Sequence, residues 1–371
     1  RGAYFGYNSD VGRNGVSISR YENRDITWET SYQTNLGLEF SIMQKLNVIA
    51  EIYKQRRANI LMDRASIPST MGLAVTPSAN VGEAKNKGFD LSVDFNQNFK
   101  DGTWMIARGN LTMARTVFSI YEEPDYTDRH MSRVGQSINQ PRGLIAERLF
   151  IDEADVKNSP RQNFGIYGAG DIKYRDINQD GQITNSDFVP IGHPETPEIT
   201  YGFGVSAGRG QLDFSVFFQG LGRESFFINP IASAPFINYS LDNNDNQLYP
   251  SNLIGENALL KAFADSHWSE ENRDIYAVWP RLSTVVNGNN AQRSTWFMRD
   301  GSFLRLKTLE VGYTIKGNFL DKLKVSNMRI YFSGTNLLTF SKFKLWDPEM
   351  GGNGLGYPVQ KVFNVGLNMN F

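Results

Sequence analysis

The chain has 371 residues, 34 of them glycine and none cysteine, with 13% aromatic side chains and a formal net charge of −1. That balance excludes a disulfide framework and thiolate metal sites, and it gives no electrostatic case for nucleic acid as a partner. Mean hydropathy is −0.40 and no stretch approaches the roughly eighteen apolar residues of a transmembrane helix, so that class is excluded; a membrane-spanning β-barrel is not, because half of its strand residues are polar.

In chain order, the first run, RGAYFGY, reads as a strand that opens on Arg1 without methionine or signal peptide, so the chain reads as the C-terminal portion of something longer. Tyr32, Thr34, Leu36, Leu38, Phe40 and Ile42 alternate with polar residues and glycine, the period-2 pattern of a strand with one greasy and one wet face. After a tight turn at Met43–Lys45, Leu46, Val48, Ala50 and Ile52 continue the pattern. Phe89, Leu91, Val93 and Phe95 alternate with Asp90, Ser92, Asp94 and Asn96, and the turn Lys100-Asp101-Gly102 leads into a strand from Trp104 to about Met113. Ile199 to Ala207 and Leu212 to Phe218 flank Gly208-Arg209-Gly210, a hairpin signal. Leu309–Ile315 and Met328–Gly334 follow, and Val359–Phe371 closes the chain with Phe363, Val365, Leu367, Met369 and Phe371 on one face. These make about ten strands.

The connections alternate in length. They are very short around residues 43, 100 and 209, fairly short at 316–325, and long at 8–29, 58–84, 116–197, 223–300 and 337–357. Outer-membrane barrels have short periplasmic turns and long extracellular loops, strand after strand, whereas structureless loops of this length are uncommon in compact domains. The expected fold is therefore all-β: a transmembrane antiparallel β-barrel, of which this chain supplies about ten strands of a larger barrel. Its long extracellular loops are expected at 116–197 and 223–300. Leu36, Leu38, Phe40, Leu212, Phe214, Val216, Val365, Leu367 and Met369 are expected to face lipid. Open strand edges are not tolerated in a bilayer, so the remaining strands are expected from an N-terminal part.

Several motifs then carry a resemblance. They are Ile26-Thr27-Trp28-Glu29, Ile67-Pro68-Ser69-Thr70, Asn80-Val81-Gly82-Glu83, Asn86-Lys87-Gly88-Phe89, Gly170-Asp171-Ile172-Lys173-Tyr174, Phe217-Phe218-Gln219-Gly220, Phe303-Leu304-Arg305-Leu306-Lys307 and Asp347-Pro348-Glu349. In this order the chain resembles the C-terminal half of a SusC-like TonB-dependent outer-membrane transporter. The resemblance implies a 22-stranded barrel around an N-terminal plug that has no counterpart here. It also implies a SusD-like surface lipoprotein as lid, TonB engaged through the missing N-terminal part, and import of oligosaccharides or peptides.

One motif points to a metal. Asp176, Asn178, Asp180, Gly181, Gln182 and Asp187 match calcium-loop positions 1, 3, 5, 6, 7 and 12, with glycine for the sharp turn and Gln182 offering its carbonyl. The expected cofactor is a structural Ca²⁺ at Asp176, Asn178, Asp180, Gln182 and Asp187, with Asp187 standing where an EF-hand has the longer Glu; an ion-free Asp/Asn/Gly turn is the alternative. Gly204-Val205-Ser206-Ala207-Gly208 spells a nucleophile elbow, but the elbow needs strand, strained turn and helix, and Ser206 sits in an alternating strand. His130, His193 and His267 show no metal spacing, Trp268, Trp279 and Trp296 read as loop packing or sugar platforms, and Arg299 with Asp300 reads as a loop ion pair. No enzyme is expected. Besides the energised importer, two classes stay open: a passive porin or surface adhesin, and a secreted soluble β protein with a calcium loop.

Overall fold

A computed structural model describes residues 2–4, 12–14, 18–241, 248–254, 258–317, 320 and 324–371. Nine strands form one sheet: β1 (Thr30–Ile42), β2 (Leu46–Asp63), β3 (Ser78–Asn98), β4 (Thr103–Ile120), β5 (Ile199–Arg209), β6 (Leu212–Gly222), β7 (Phe303–Ile315), β8 (Asn327–Ser341) and β9 (Val362–Asn370). Each strand lies beside its neighbours in sequence, β1 to β9 without a crossover, and β1 and β9 are the outermost strands of that order. The turns follow from local chemistry. Met43 and Gln44 both have positive φ, 52° and 55°, and Lys45 N–H donates to the Ile42 carbonyl at 2.9 Å, so β1 and β2 join through a primed turn that matches the strand twist. Gly210, at φ 63°, serves the β5–β6 hairpin.

The sheet revises two expectations. Among the described residues nine strands take part, against about ten expected: Gly2–Tyr4 pairs with Gly12–Asn14 in a separate two-stranded piece, and the rest of the first run lies outside the described residues. The connection at 58–84 shrinks to 64–77, because β2 runs on to Asp63 and β3 starts at Ser78. Asn59, at φ 61°, interrupts the pleat there, so the period-2 signal fades although pairing continues. Across this extension Arg56 Nε donates to Glu83 Oε2 at 2.7 Å and Asn80 Nδ2 to the Asn59 carbonyl at 2.8 Å.

By compactness the chain divides into two units: Arg1–Thr34, Lys54–Lys87 and Thr116–Ile138, and then Asn35–Tyr53, Gly88–Arg115 and Asn139–Phe371. In the second unit the expected long loops are themselves folded. Ala146–Leu149 pairs with Ile172–Tyr174, Arg142–Gly143 with Val189–Pro190, and Ser225–Phe227 with Met298–Asp300. Leu144, Leu149, Ile172, Tyr174, Ile183, Phe226, Phe263, Trp279 and Phe297 bury themselves in one apolar cluster. A segment that removes this much apolar surface from water meets the entropy cost of ordering a long connection.

Candidate lipid-facing surface and loop assembly

Residues directly opposite each other in an antiparallel ladder share a face. One row reads Ala207, Phe214, Val311, Phe332, Val365 across β5 to β9, and the next reads Arg209, Leu212, Tyr313, Ile330, Leu367. A third runs Val205, Val216, Leu309, Gly334, Phe363. This face is greasy yet open: Phe214, Val311 and Phe332 are each 41% exposed and Val365 is 79% exposed. Of the residues expected on it, Leu36, Leu38, Phe40, Leu212, Phe214, Val365, Leu367 and Met369 are exposed, and Val216 is half-buried. A soluble protein rarely leaves a patch of that extent uncovered.

The opposite face is polar. Its rows include Ser206, Ser215, Glu310, Ser333, Asn364 and Gly208, Asp213, Gly312, Tyr331, Gly366. Arg329 donates to Asp213 at 2.5 Å and to Glu310 at 2.6 Å. Gly312 makes room for that guanidinium, since a Cβ there would lie 2.2 Å from Arg329 Nη2. Ser206 Oγ meets Ser215 Oγ at 2.8 Å within the β5–β6 hairpin, so the elbow-like motif is a strand residue with no helix after it.

Within the loop assembly several buried polar groups hold one another through hydrogen bonds and ion pairs. Asp171, fully buried, receives Arg281 Nε at 2.9 Å, Arg281 Nη2 at 2.8 Å, Asn290 Nδ2 at 2.8 Å and the Gly168 N–H at 2.9 Å. Gln162 Nε2 donates to the Ile172 carbonyl and Gln162 Oε1 accepts the Tyr174 N–H at 2.7 Å. Burial pushes the Tyr174 phenol well above its ordinary range. Arg148 holds the Asp155 carboxyl well below the usual carboxylate range, with Lys173 adding to it. Glu224, half-buried, is pushed up to about 7 by desolvation. Arg305, 1% exposed, reaches Asp347 and Glu349 at 2.5 Å each.

The aromatic and histidine expectations resolve toward packing. Trp268 and Trp279 are 4% and 6% exposed, Trp279 stacks on Phe263 at 4.2 Å, and Trp296 packs against the same cluster, so the first two cannot serve as platforms for a ligand from solution. His267 Nδ1 lies 3.0 Å from the Phe263 and Ala264 carbonyls. Arg299 and Asp300 do not pair: adjacent strand residues point to opposite faces. Arg299 Nη1 donates to the Trp296 and Met298 carbonyls, and Asp300 lies 3.4 Å from Lys342.

In the 176–187 loop the side chains serve the backbone. Asp176 accepts the Gln179 and Gly181 N–H groups at 2.7 and 2.8 Å, Asp180 accepts the Gln182 N–H at 2.8 Å, and Asn178 Nδ2 donates to Asp180 at 3.0 Å. Asp187, fully buried, accepts Ile177 and Thr184 N–H groups at 2.8 and 2.7 Å and closes a capping box with Thr184. Among the described residues no group of three or more His, Cys, Asp or Glu side chains is gathered to hold a metal ion.

The first unit contains a cavity of about 380 Å³. Gln55 and Arg57 on β2, Ala84 and Asn86 on β3, and Thr116 and Phe118 on β4 line it, with Glu29, Ile60 and Ile138. On each strand these are positions that alternate away from the apolar set, and the irregularity at Asn59 turns Ile60 to the same side, where it would meet a Cβ on Gly82 at 3.1 Å. Arg57 Nη1 lies 3.4 Å from Glu29 Oε2, and Asn86 Oδ1 is buried without a donor among the described residues. Glu29 and Asn86 fall within motifs visible in the sequence, but only the pairing of β2, β3 and β4 brings them to one place.

Comparison with known proteins agrees with this architecture. The family described as TonB dependent receptor-like, beta-barrel, matches residues 2–337. TonB-dependent receptor P26 of Formosa agariphila is 27% identical, covering 97% of this chain and 36% of the relative. TonB-dependent receptor SusC of Bacteroides thetaiotaomicron is 21% identical over 94% of this chain and 32% of its own length. The chain thus spans about a third of the length of these curated relatives. Among solved structures, a chain of the RagAB peptide transporter superposes with a TM-score of 0.66 at 22% identity, over 100% of this chain and 38% of that one.

Proposed function

Because the chain belongs to the TonB dependent receptor-like β-barrel family, we propose that its sheet is part of the wall of an outer-membrane barrel that imports a nutrient, oligosaccharide or peptide, with energy delivered through TonB. The observation that carries this reading is the set of exposed apolar rows backed by a charged and polar face. In a bilayer the first face would meet hydrocarbon and the second an aqueous lumen. The family is one of receptors and transporters rather than enzymes. The folded loop assembly of 139–198 and 223–302 would then stand outside the cell as the platform for a SusD-like surface lipoprotein.

Because residues 1–371 contain no cysteine, topology can be read with single cysteines placed among them, in full-length protein freed of any cysteine elsewhere. Tyr276→Cys, on an exposed loop residue, should react with a membrane-impermeant maleimide on intact cells. Asp101→Cys, in the β3–β4 turn, should react only after the outer membrane is opened. The reverse pattern would refute the orientation, and uptake that persists without TonB would refute energised import in favour of a passive pore.

We propose further that Asp176, Asn178, Asp180, the Gln182 carbonyl and Asp187 take up one Ca²⁺. Their spacing at calcium-loop positions 1, 3, 5, 7 and 12 supports it. Binding would draw side chains now turned to backbone N–H groups toward one centre. Extracellular modules need a Kd of only about 10⁻⁴–10⁻³ M. Terbium luminescence on the full-length protein should rise and be competed by millimolar calcium, and Asp176→Asn with Asp180→Asn should abolish it.

A further inference from the structure

The alternate positions that carry the apolar face of β2 and β3 change character along each strand. On β2 they read Leu46, Val48, Ala50 and Ile52, and then Lys54 and Arg56. On β3, taken from its far end, they read Phe95, Val93, Leu91 and Phe89, and then Lys87 and Lys85. Both strands make the change at one level. Asn96 N–H donates to the Lys45 carbonyl at 2.7 Å, and Arg64 N–H to the Pro77 carbonyl at 2.9 Å. Counted from either bond, Lys54 lies opposite Lys87 and Arg56 opposite Lys85. All four side chains belong to exposed residues. Like charges directly opposite each other on a sheet are destabilising, yet two such pairs stand here in succession. Glu83, 5% exposed, accepts from Arg56 Nε at 2.7 Å and from Ser119 Oγ at 2.6 Å, and Lys85 Nζ lies 3.5 Å from it. That carboxylate balances one of the four positive charges. Tyr32 on β1 lies under the Arg56 guanidinium, 5.7 Å from it. In a barrel, aromatic side chains at the end of an apolar band stand at the level of the lipid headgroups.

We propose that Lys54, Arg56, Lys85 and Lys87 bind the phosphomonoester headgroup of a lipid in the outer leaflet. Such a group brings up to two negative charges and three strong acceptor oxygens, and each lysine ammonium has three donors to offer them. Charge complementarity and continuity with the apolar positions of the same two strands select this occupant, because a lipid anion meets both at once. The assignment rests on reading the sheet as an outer-membrane wall with the β3–β4 turn in the periplasm, which puts the four cations at the outer-leaflet end.

The test uses the full-length protein in detergent, with heat-modifiable gel mobility as the folding check on every variant. Monophosphoryl lipid A, the same lipid with its phosphate removed, and inorganic phosphate are the probes, and native mass spectrometry counts bound lipid. The phosphorylated lipid should bind at least about tenfold tighter than its dephosphorylated form, and millimolar inorganic phosphate should not displace it. A basic residue at an anionic lipid surface contributes about fivefold, so Lys54→Gln with Lys87→Gln should weaken the phosphorylated lipid about tenfold or more. Lys54→Arg with Lys87→Arg should retain it. Lys45→Gln with Lys100→Gln removes the same charge at the turns and should change binding less than about twofold, since charges that far apart are screened. Equal binding of the two lipids overturns the assignment, as does equal weakening by the two glutamine pairs. Displacement by inorganic phosphate overturns it in favour of a soluble anion. If the Lys54 and Lys87 glutamine pair does not fold, the wild-type preference and the arginine pair decide. The cysteine labelling above separates this assignment from the barrel reading. Phosphate-dependent binding with reversed labelling overturns the outer-leaflet placement together with the orientation. The expected labelling with no preference for phosphate overturns the headgroup site and leaves the barrel reading intact.

Discussion

At the scale of single residues, two buried charges make opposite statements. Asp171 is sealed from water and held by four donors, Arg281 twice among them. Asp171→Asn keeps the volume but leaves the guanidinium without its anion. Hydrogen bonds to charged groups contribute about 1.5–3 kcal/mol, so a loss of about 2 kcal/mol is expected, which multiplies the opened fraction of the loop assembly about thirtyfold. Limited proteolysis within 139–198 and 223–302 measures it. Glu224 lacks such a partner, and burial alone raises its carboxyl to about 7. A raised folded value means that the neutral form is favoured in the native state. Its stabilising contribution is intact below the ordinary glutamate range and is lost as pH rises through about 7. Hydrogen-exchange protection around 223–227, taken relative to the intrinsic base-catalysed rate, should therefore fall between roughly pH 5 and 8, and Glu224→Gln should flatten that profile.

At the scale of elements, the apolar rows of β5 to β9 give the sharpest expectation. Val311→Arg places a charge in the middle of a row and should cost about 2–4 kcal/mol if the site lies near the bilayer midplane. Ser333→Arg, on the polar face, should cost far less. Urea titration of the full-length protein refolded in lipid vesicles compares them. Gly366→Ala probes the polar face differently, since its Cβ would fall 2.2 Å from the Tyr331 ring; overpacking of this kind typically costs about 1–3 kcal/mol. The alternation at Leu212–Phe218 and Phe363–Phe371 made these strands legible in the sequence, because one face must be uniformly apolar. The outer halves of β2 and β3 were not legible. Arg56, Glu83, Asn59 and Asn80 pair across strands there, and such partners have no periodic signature in one chain. The fold of 139–302 was hidden for a related reason: Leu144, Ile172, Phe226 and Phe297 meet only after distant segments come together. Asn86 and Arg57 stood in plain view as residues, yet nothing local said that they share a cavity.

At the scale of the whole molecule, the outermost strands β1 and β9 have no second neighbour in the sheet among the described residues, and lipid offers no hydrogen bonds to free edges. Residues 1–371 expressed alone should therefore give no heat-resistant closed barrel, whereas the full-length protein should; unboiled gel mobility decides it. The strand order has a kinetic side as well. Every partner in the wall is the next strand of the wall along the chain, so most pairing is local in sequence, and contacts of short separation form fastest. Two joints break that rule. β5 must find β4 across 121–198, and β7 must find β6 across 303's long approach from 223. The apolar cluster and the Asp171 network shorten those gaps by folding the intervening chain onto itself. A loop that folds early would deliver the next strand to its place, so Asp171→Asn, which loosens that assembly, should slow barrel maturation as well as open the finished loops.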